Sequence, residues 1–353
     1  MMRHRPPART AVPAPAAAVR PGALHALLPV VLAAVLLATG CGAAAPAGGS
    51  ERTGSDPSAT STPGTSISTS ISTSTPRAAR PTHTAAGRAA PASPRPVRVP
   101  AGVTAGYVVV DRSAGGAGRV VARHDAHRRF RSASVVKILI ALDYLERHRG
   151  PVPRADLALL TPMLRGSDDD AATTLWHRGG QGEIVRRTAR RLGLADTAPP
   201  PAAKPGFWGY TAISASDIAL VYRYLLDRAQ PRVRDLILGN LRQAWHCASD
   251  GFDQYFGIPR AVPRPWLVKQ GWSGFGSTPP TRCGRTGTAS YEMGTFHSTR
   301  DPVDFVRPVL HTTGVIGDRL IMVVLTVQPS GASFTNSAAR VTKLARDLYL
   351  SVA

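Results

Sequence analysis

The chain has few lysines, and its acidic residues are about half as numerous as its basic ones. Four of the 43 basic residues are lysines, and with 22 acidic residues among 353 the formal net charge is +21. The positive charge is arginine spread along the whole chain, and no basic stretch is interleaved with aromatic residues, as a single-strand nucleic-acid binder would need. We therefore do not expect a nucleic-acid partner, and we attribute the charge to an arginine-rich composition near a wall or membrane surface.

The N-terminal segment has the pattern of an export signal. Several arginines precede an apolar run over residues 23–38, which is short for a membrane span. The run ends in Ala38-Thr39-Gly40-Cys41, which resembles the lipobox of bacterial lipoproteins, whose cysteine receives a diacylglycerol after cleavage. We expect a signal peptide over residues 1–40, a lipidated Cys41 and anchoring to the outer, extracytoplasmic face of the cell membrane. The alternative is an ordinary secretory signal followed by a chance cysteine.

Residues 41–100 consist mainly of alanine, proline, serine and threonine. Such a composition cannot bury enough apolar area to offset its chain entropy. The sequence therefore predicts a disordered tether over 41–100 and a folded domain over 101–353.

Cysteine is scarce, with three residues in the chain. A chain of this length can bury a large core, so a small disulfide-stapled scaffold is excluded. If Cys41 carries lipid, Cys247 and Cys283 remain as an even pair in an oxidising compartment, which favours a disulfide between them. A metal site is the rival interpretation, and the absence of a CxxC motif makes it the weaker one.

Strand patterns occur at both ends of the predicted domain, and helical patterns lie between them. Residues 106–111 and 119–122 form one predicted hairpin, and residues 309–316 and 319–327 form another. A closing helix is expected after a cap at Thr335-Asn336. Five helices are predicted in between, over residues 135–145, 155–164, 171–176, 184–192 and 216–226. The fold class is therefore α+β, with an antiparallel sheet flanked by helices and an inserted all-helical lobe.

Three short motifs contain side chains that can carry out acyl transfer. Ser134 and Lys137 stand at i and i+3 at the start of an apolar helix, so the amine lies close enough to take the hydroxyl proton. Ser167-Asp168-Asp169 begins a later helical stretch, and Lys269-Gln270-Gly271 follows the apolar strand residues 266–268.

In this order the motifs resemble those of the penicillin-recognising serine hydrolases, the class A β-lactamases and proteins of the DD-peptidase fold. The resemblance implies Ser134 as the acylated nucleophile, Lys137 as its base and Ser167 as proton carrier to the leaving nitrogen. It implies Lys269 as a cation near Ser167 and the substrate carboxylate. Substrate binding is expected from Asp169, Gln270, Gly271 and Trp272. The backbone N–H groups of Ser134 and Trp272 would form the oxyanion hole. No metal or cofactor is expected.

The chain departs from the family pattern at several positions. Asp169 stands where the family has Asn, and Gln270 replaces a hydroxyl residue. Residues 273–300 look like an added loop that the Cys247–Cys283 pair could staple. The stretch 192–214 lacks the Glu that activates the deacylating water in class A enzymes, and Asp196 is its only acidic residue. Slow deacylation is therefore expected.

The sequence predicts a monomeric, lipid-anchored serine hydrolase that is acylated by β-lactams or by peptidoglycan-like peptides ending in D-Ala-D-Ala. Two alternatives stay open: a relative of the same fold that binds such ligands without turnover, and a scaffolding lipoprotein of the cell wall.

The lipobox resemblance makes a prediction about the mature N-terminus. We expect mass spectrometry of protein from native membranes to find an N-terminal peptide that begins at a diacylglyceryl-modified Cys41, and the intact protein to partition into detergent. An unmodified Cys41 peptide, or cleavage at another position, would contradict the anchor.

Overall fold

The computed structural model describes residues 97–113, 115–116, 118–284 and 303–353. The predicted signal peptide, Cys41 and the predicted tether as far as residue 96 lie outside these residues. Residues 285–300 of the predicted added loop also lie outside them.

A five-stranded antiparallel sheet is built from both ends of the described chain. The strands are β1 (Thr104–Asp111), β2 (Arg119–His124), β3 (Phe130–Arg131), β4 (Ala212–Ile213), β5 (Trp266–Ser273), β6 (Val309–Ile316) and β7 (Leu320–Val327). Five of them follow the order β2-β1-β7-β6-β5, and β3 pairs with β4 in a separate two-stranded sheet. The two predicted hairpins and the α+β class are confirmed, and β5 lies at an edge of the large sheet.

Helices fill the chain between the two groups of strands. They are α1 (Lys137–Arg147), α2 (Arg154–Arg165), α3 (Asp169–Arg178), α4 (Gly182–Leu192), α5 (Ala215–Asp227), α6 (Pro231–Arg242), α7 (Ile258–Ala261) and α8 (Phe334–Val352). The five predicted central helices are confirmed, whereas α6 and α7 were not predicted. Within the described ranges, no helix has the length and apolarity needed to cross a bilayer.

The cap of the closing helix lies earlier than predicted. Ser333 is the N-cap, and its hydroxyl accepts a hydrogen bond from the backbone N–H of Asn336 at 3.2 Å. Thr335 and Asn336 are therefore inside the first turn of α8 rather than before it. The prediction was wrong by about half a turn because two N-capping residue types, Ser333 and Thr335, both precede the apolar face.

The sheet is covered on both faces, which explains the apolar strand sequences. On β1, Val108 and Val110 belong to the core shared with the helices of the central lobe, whereas Tyr107 and Val109 pack on the face covered by α8. Alternating side chains of a strand point to opposite faces, so β1 is buried from both sides.

Helix α1 runs through the middle of the helical lobe. Its residues from Ile138 to Leu142 are at most 1% exposed, so the helix is apolar on every side, as expected for a buried helix. Any polar group at its N-terminal end is therefore held in a nearly water-free environment.

A disulfide joins Cys247 to Cys283, as predicted from the cysteine count. The Cα atoms are 5.2 Å apart and the closed loop spans 36 residues, including α7 and β5. The backbone N–H of Cys283 also donates to the Gly251 carbonyl at 2.8 Å. The disulfide and this hydrogen bond therefore hold residues 247–251 against the segment that follows β5.

We predict that the paired substitution Cys247→Ser and Cys283→Ser lowers the free energy of unfolding by about 2–4 kcal/mol, because a loop of this length is released in the unfolded chain. Urea unfolding of the oxidised protein and of the double variant measures the difference. Equal unfolding midpoints and slopes would contradict a stabilising disulfide.

Candidate active site

Ser134 lies in a short 3₁₀ turn, Ala133–Val136, that leads directly into α1. The turn is held from the side of β3, where Ser132 N–H donates to the Thr211 carbonyl at 2.8 Å. Ala133 has a φ of +44°, a left-handed conformation that costs a non-glycine residue about 1–3 kcal/mol. The surrounding packing therefore imposes the geometry that presents Ser134.

Lys137 is completely buried, and three oxygens surround its amine. Its Nζ lies 2.9 Å from Ser134 Oγ, 2.6 Å from the Ser167 carbonyl and 2.5 Å from Asp169 Oδ1. The ring of Trp208 lies 4.5 Å from the amine on another side. The predicted contact between Ser134 and Lys137 is present, and the contact with Asp169 was not predicted.

Ser167 is brought to the site by the turn between α2 and α3. It has a φ of +57°, so it is a second non-glycine residue in the left-handed region beside the site. Its hydroxyl accepts a hydrogen bond from the amine of Lys269, which is 1% exposed on β5. Both lysines therefore contact Ser167, Lys137 at its carbonyl and Lys269 at its hydroxyl.

Strand β5 packs directly against the turn that carries Ser134. A Cβ atom at Gly271 would lie 3.0 Å from the Ser132 carbonyl oxygen and 3.2 Å from the Ser134 nitrogen. Only glycine allows this approach without displacing the neighbouring atoms. The approach brings β5 beside the backbone N–H of Ser134. The two elements expected to form the oxyanion hole are therefore adjacent.

Gln270 and Trp272 are the two other β5 residues that the sequence assigned to substrate binding. The Gln270 side chain is buried, and its amide donates to the carbonyls of Gln254 at 3.2 Å and Phe256 at 2.5 Å. Trp272 is 9% exposed, and its indole donates to Asp250. Gln270 thus anchors β5 to the neighbouring segment, and its predicted role in substrate binding remains a prediction.

Asp250 is a carboxylate beside the site that the sequence analysis missed. Its Oδ2 accepts from the Trp272 indole at 3.0 Å, and its Oδ1 accepts from the Phe252 N–H at 3.0 Å. Its loop is docked beside Ser167, since the Ser249 N–H donates to the Gly166 carbonyl at 2.7 Å. The loop has no helical or strand periodicity, so no pattern in the sequence marks this residue.

The charged groups at the site act on one another. Burial, followed by the positive charge of Lys137, lowers the pKa of Lys269 well below its ordinary value, and the charges of Asp169 and Asp250 oppose this shift. Burial, followed in the same direction by the charge of Asp169, raises the pKa of Asp250 to about 6. The site therefore contains one amine and one carboxyl that both titrate far from their usual ranges, as is common at functional sites.

Asp196, the acid considered for deacylation, has other partners. Its carboxylate lies 2.8 Å from His127 Nδ1, and its backbone N–H donates to Asp217 at 2.8 Å. No contact joins Asp196 to Ser134 or Lys137 in the part of the chain that the structure describes. Asp196 therefore links the segment after α4 to the start of α5.

A cavity of about 290 Å³ opens beside Asp169. Its walls are formed by α3 and by the segment around Trp208, the residue that also contacts Lys137. The lining residues are Asp169, Asp170, Thr173, His177, Gly206, Phe207 and Trp208. Larger cavities beside α8 and α5 are not lined by any residue of the three motifs.

Comparisons with known proteins give relatives in sequence and in fold. No family model matches the chain. The proteins named "Putative lipoprotein LppW" of Mycobacterium bovis and Mycobacterium tuberculosis are 36% identical over 178 residues, which cover 48% of this chain and 54% of theirs. The chain thus spans about half the length of the curated relatives it matches.

Solved structures with a similar fold include a class A β-lactamase from Mycobacterium abscessus, with a TM-score of 0.49 and 18% identity over 71% of this chain and 94% of that one. They also include PBP-A, with a TM-score of 0.48 and 14% identity over 72% of this chain and 92% of that one. Over about half its length the chain is thus similar in sequence to proteins named as lipoproteins.

The raised pKa of Asp250 predicts a pH-dependent stability. Between about pH 4 and pH 6 the folded protein binds more protons at this carboxyl than the unfolded chain, so the free energy of unfolding falls as the pH rises. Relative to an Asp250→Asn variant, the wild type should lose about 3 kcal/mol across this window. Urea unfolding at a series of pH values measures it.

Asp235→Asn is the matched control, because this carboxylate on α6 is 65% exposed. Its stability should follow that of the wild type at every pH. A constant difference between the wild type and Asp250→Asn across the window would contradict the assigned titration.

Proposed function

We propose that the chain is a lipid-anchored, extracytoplasmic serine acyl-transfer hydrolase that β-lactams or D-Ala-D-Ala-like amides acylate at Ser134. The observation that carries this proposal is the hydrogen bond from the buried Lys137 amine to Ser134 Oγ, at the start of a helix and beside the Ser167–Lys269 pair. A buried amine that contacts a serine hydroxyl at the start of a helix fixes the position of that hydroxyl, as expected for a nucleophilic serine.

The proposed reaction uses Ser134 and Ser167, which contact the Lys137 amine through a hydroxyl and a carbonyl respectively. Ser134 Oγ attacks the amide carbonyl, and the developing oxyanion is stabilised by the backbone N–H groups of Ser134 and Trp272. Ser167 delivers a proton to the leaving nitrogen. Its hydroxyl accepts a hydrogen bond from the amine of Lys269, which would position it for this transfer.

The membrane anchor is supported by two independent features. The Ala38-Thr39-Gly40-Cys41 segment has the residue pattern of a lipobox. The relatives of this chain in the two mycobacteria are themselves named as lipoproteins.

Slow deacylation is the second part of the proposal. Hydrolysis of an ester on Ser134 needs a base to activate water, and such assistance contributes about a hundredfold or more. Asp196 contacts His127 and Asp250 contacts Trp272 and Phe252, and among the described residues neither carboxylate contacts Ser134. The acyl-enzyme should therefore persist.

One observation favours the alternative of an inert ligand-binding lipoprotein. Asp169 replaces an asparagine of the family pattern and forms an ion pair with Lys137 at 2.5 Å. An amine held as an ammonium cannot accept the Ser134 proton, so this pair would block acylation if Lys137 were the base.

Labelling of the full-length protein with a fluorescent penicillin decides between the two functions. We expect a covalent adduct on the wild type, no adduct on Ser134→Ala, and normal labelling of the matched control Ser216→Ala, a helical serine of α5. Intact-mass spectrometry should detect the penicilloyl adduct for minutes or longer. A folded wild type that takes up no label would favour the inert alternative.

Rapid steady-state turnover without a trapped adduct would contradict the slow deacylation step alone. The variants Asp250→Asn and Asp196→Asn would then show which carboxylate activates water.

A further inference from the structure

Two completely buried lysines share this site, and their partners differ in charge. Lys137 is 0% exposed and Lys269 is 1% exposed. An ammonium in such a place needs acceptors for its hydrogens and a compensating charge, because its desolvation is costly. The partners of each amine therefore indicate which of them holds the proton.

Lys137 has the surroundings of an ammonium. An ammonium has three hydrogens, and three oxygens lie within 2.9 Å of this Nζ, one of them the Asp169 carboxylate. The Trp208 ring covers a further side at 4.5 Å. This geometry stabilises a positive charge and does not require a lone pair on the nitrogen.

Lys269 has the surroundings of a neutral amine. Its amine contacts the Ser167 hydroxyl and, at 3.4 Å, the Gln270 carbonyl. In the residues that the structure describes, no carboxylate pairs with it directly. Its burial and the neighbouring charge of Lys137 both disfavour the ammonium form, which agrees with a pKa well below the ordinary value.

We propose that the proton acceptor for acylation is Lys269, acting through the Ser167 hydroxyl, and that Lys137 stays an ammonium that orients Ser134. The assignment rests on the proposed function. It differs from the role of base that the family resemblance implies for Lys137.

The proposed path moves protons between three side chains. Ser134 Oγ forms a bond to the carbonyl carbon while its proton passes to Ser167, whose own proton passes to the Lys269 lone pair. The carbonyl electron pair moves to the oxygen and returns as the carbon–nitrogen bond breaks. The leaving nitrogen then takes the Ser167 proton, and Lys269 returns its extra proton to Ser167. The products are the Ser134 ester, the free amine and a neutral Lys269.

Asp169 has a defined part in this scheme. Its carboxylate keeps Lys137 charged, and that charge in turn disfavours protonation of Lys269. An asparagine in its place would offer Lys137 an oxygen without a charge. The carboxylate at position 169 and the proposed role of Lys269 as the base are thus connected through the charge of Lys137.

Arginine substitutions test the proposal because arginine keeps the charge of lysine and cannot give up its proton. Acylation of the full-length protein by a fluorescent penicillin is followed from pH 5 to pH 10. Lys269→Arg should lose at least about a hundredfold in acylation rate at every pH, whereas Lys137→Arg should retain acylation within about tenfold. Lys343→Arg, on an exposed part of α8, is the matched control and should behave like the wild type.

The neutral variant Lys137→Met provides a second test of the proposal if arginine does not fit at position 137. Without the neighbouring cation, Lys269 becomes easier to protonate, so the acid limb of the acylation profile should move upward by about one pH unit or more. Thermal melting shows which variants are folded.

The outcomes separate the two proposals. Normal acylation of folded Lys269→Arg would restore Lys137 as the base while leaving Ser134 as the nucleophile. A Lys137→Met variant that is acylated with an unmoved acid limb would contradict Lys269 as the proton acceptor. A wild type that is not acylated at any pH would overturn the proposed function and this assignment with it.

Discussion

The contacts of the Lys137 amine are the interaction on which the rest of the site depends. They join three parts of the chain: the turn that carries Ser134, the turn that carries Ser167, and the first residue of α3, Asp169. An amine that is fully buried at the start of an apolar helix must have such partners, because each missing acceptor would leave a desolvated charge. The left-handed backbone of Ala133 and of Ser167 is the strain that this convergence imposes.

The edge strand β5 supplies the second half of the site, and its close approach depends on Gly271. A Cβ atom there would lie 3.0 Å from the Ser132 carbonyl oxygen, so a larger residue would require the strand or the Ser134 turn to shift by a few tenths of an ångström. Trp272 of the same strand donates to Asp250, which lies in the segment that the Cys247–Cys283 bond closes. The position of Lys269 therefore depends on packing that lies far from it in sequence.

Much of the fold followed from local patterns, whereas the pairing of charges did not. The two hairpins and the apolar residues of α1 could be predicted from the sequence. Helix α6 could also be predicted from the sequence. It begins with a proline, and Val233, Ile237 and Leu241 follow with helical apolar spacing.

The positions of the carboxylates depend on tertiary structure. Asp169 was expected to face a substrate amide, and the structure pairs it with Lys137 because the turn before α3 brings it across from α1. Asp250 lies in a loop whose placement depends on the Cys247–Cys283 bond and on the Gly166 carbonyl. Sequence periodicity does not reveal such tertiary contacts. The motifs can therefore identify the residues of a site, but they do not show which of these residues carry a proton.

The distribution of charge also links the proposed base to the proposed substrate. In the free protein, burial and the charge of Lys137 make Lys269 a weak base, since its pKa lies well below the ordinary value. A substrate carboxylate bound beside Lys269 would add a negative charge and raise that pKa, as a nearby opposite charge does for any amine. General bases work best when their pKa lies near the operating pH. A carboxylated β-lactam or peptide would therefore strengthen the base that acts on it, and an uncharged amide would not.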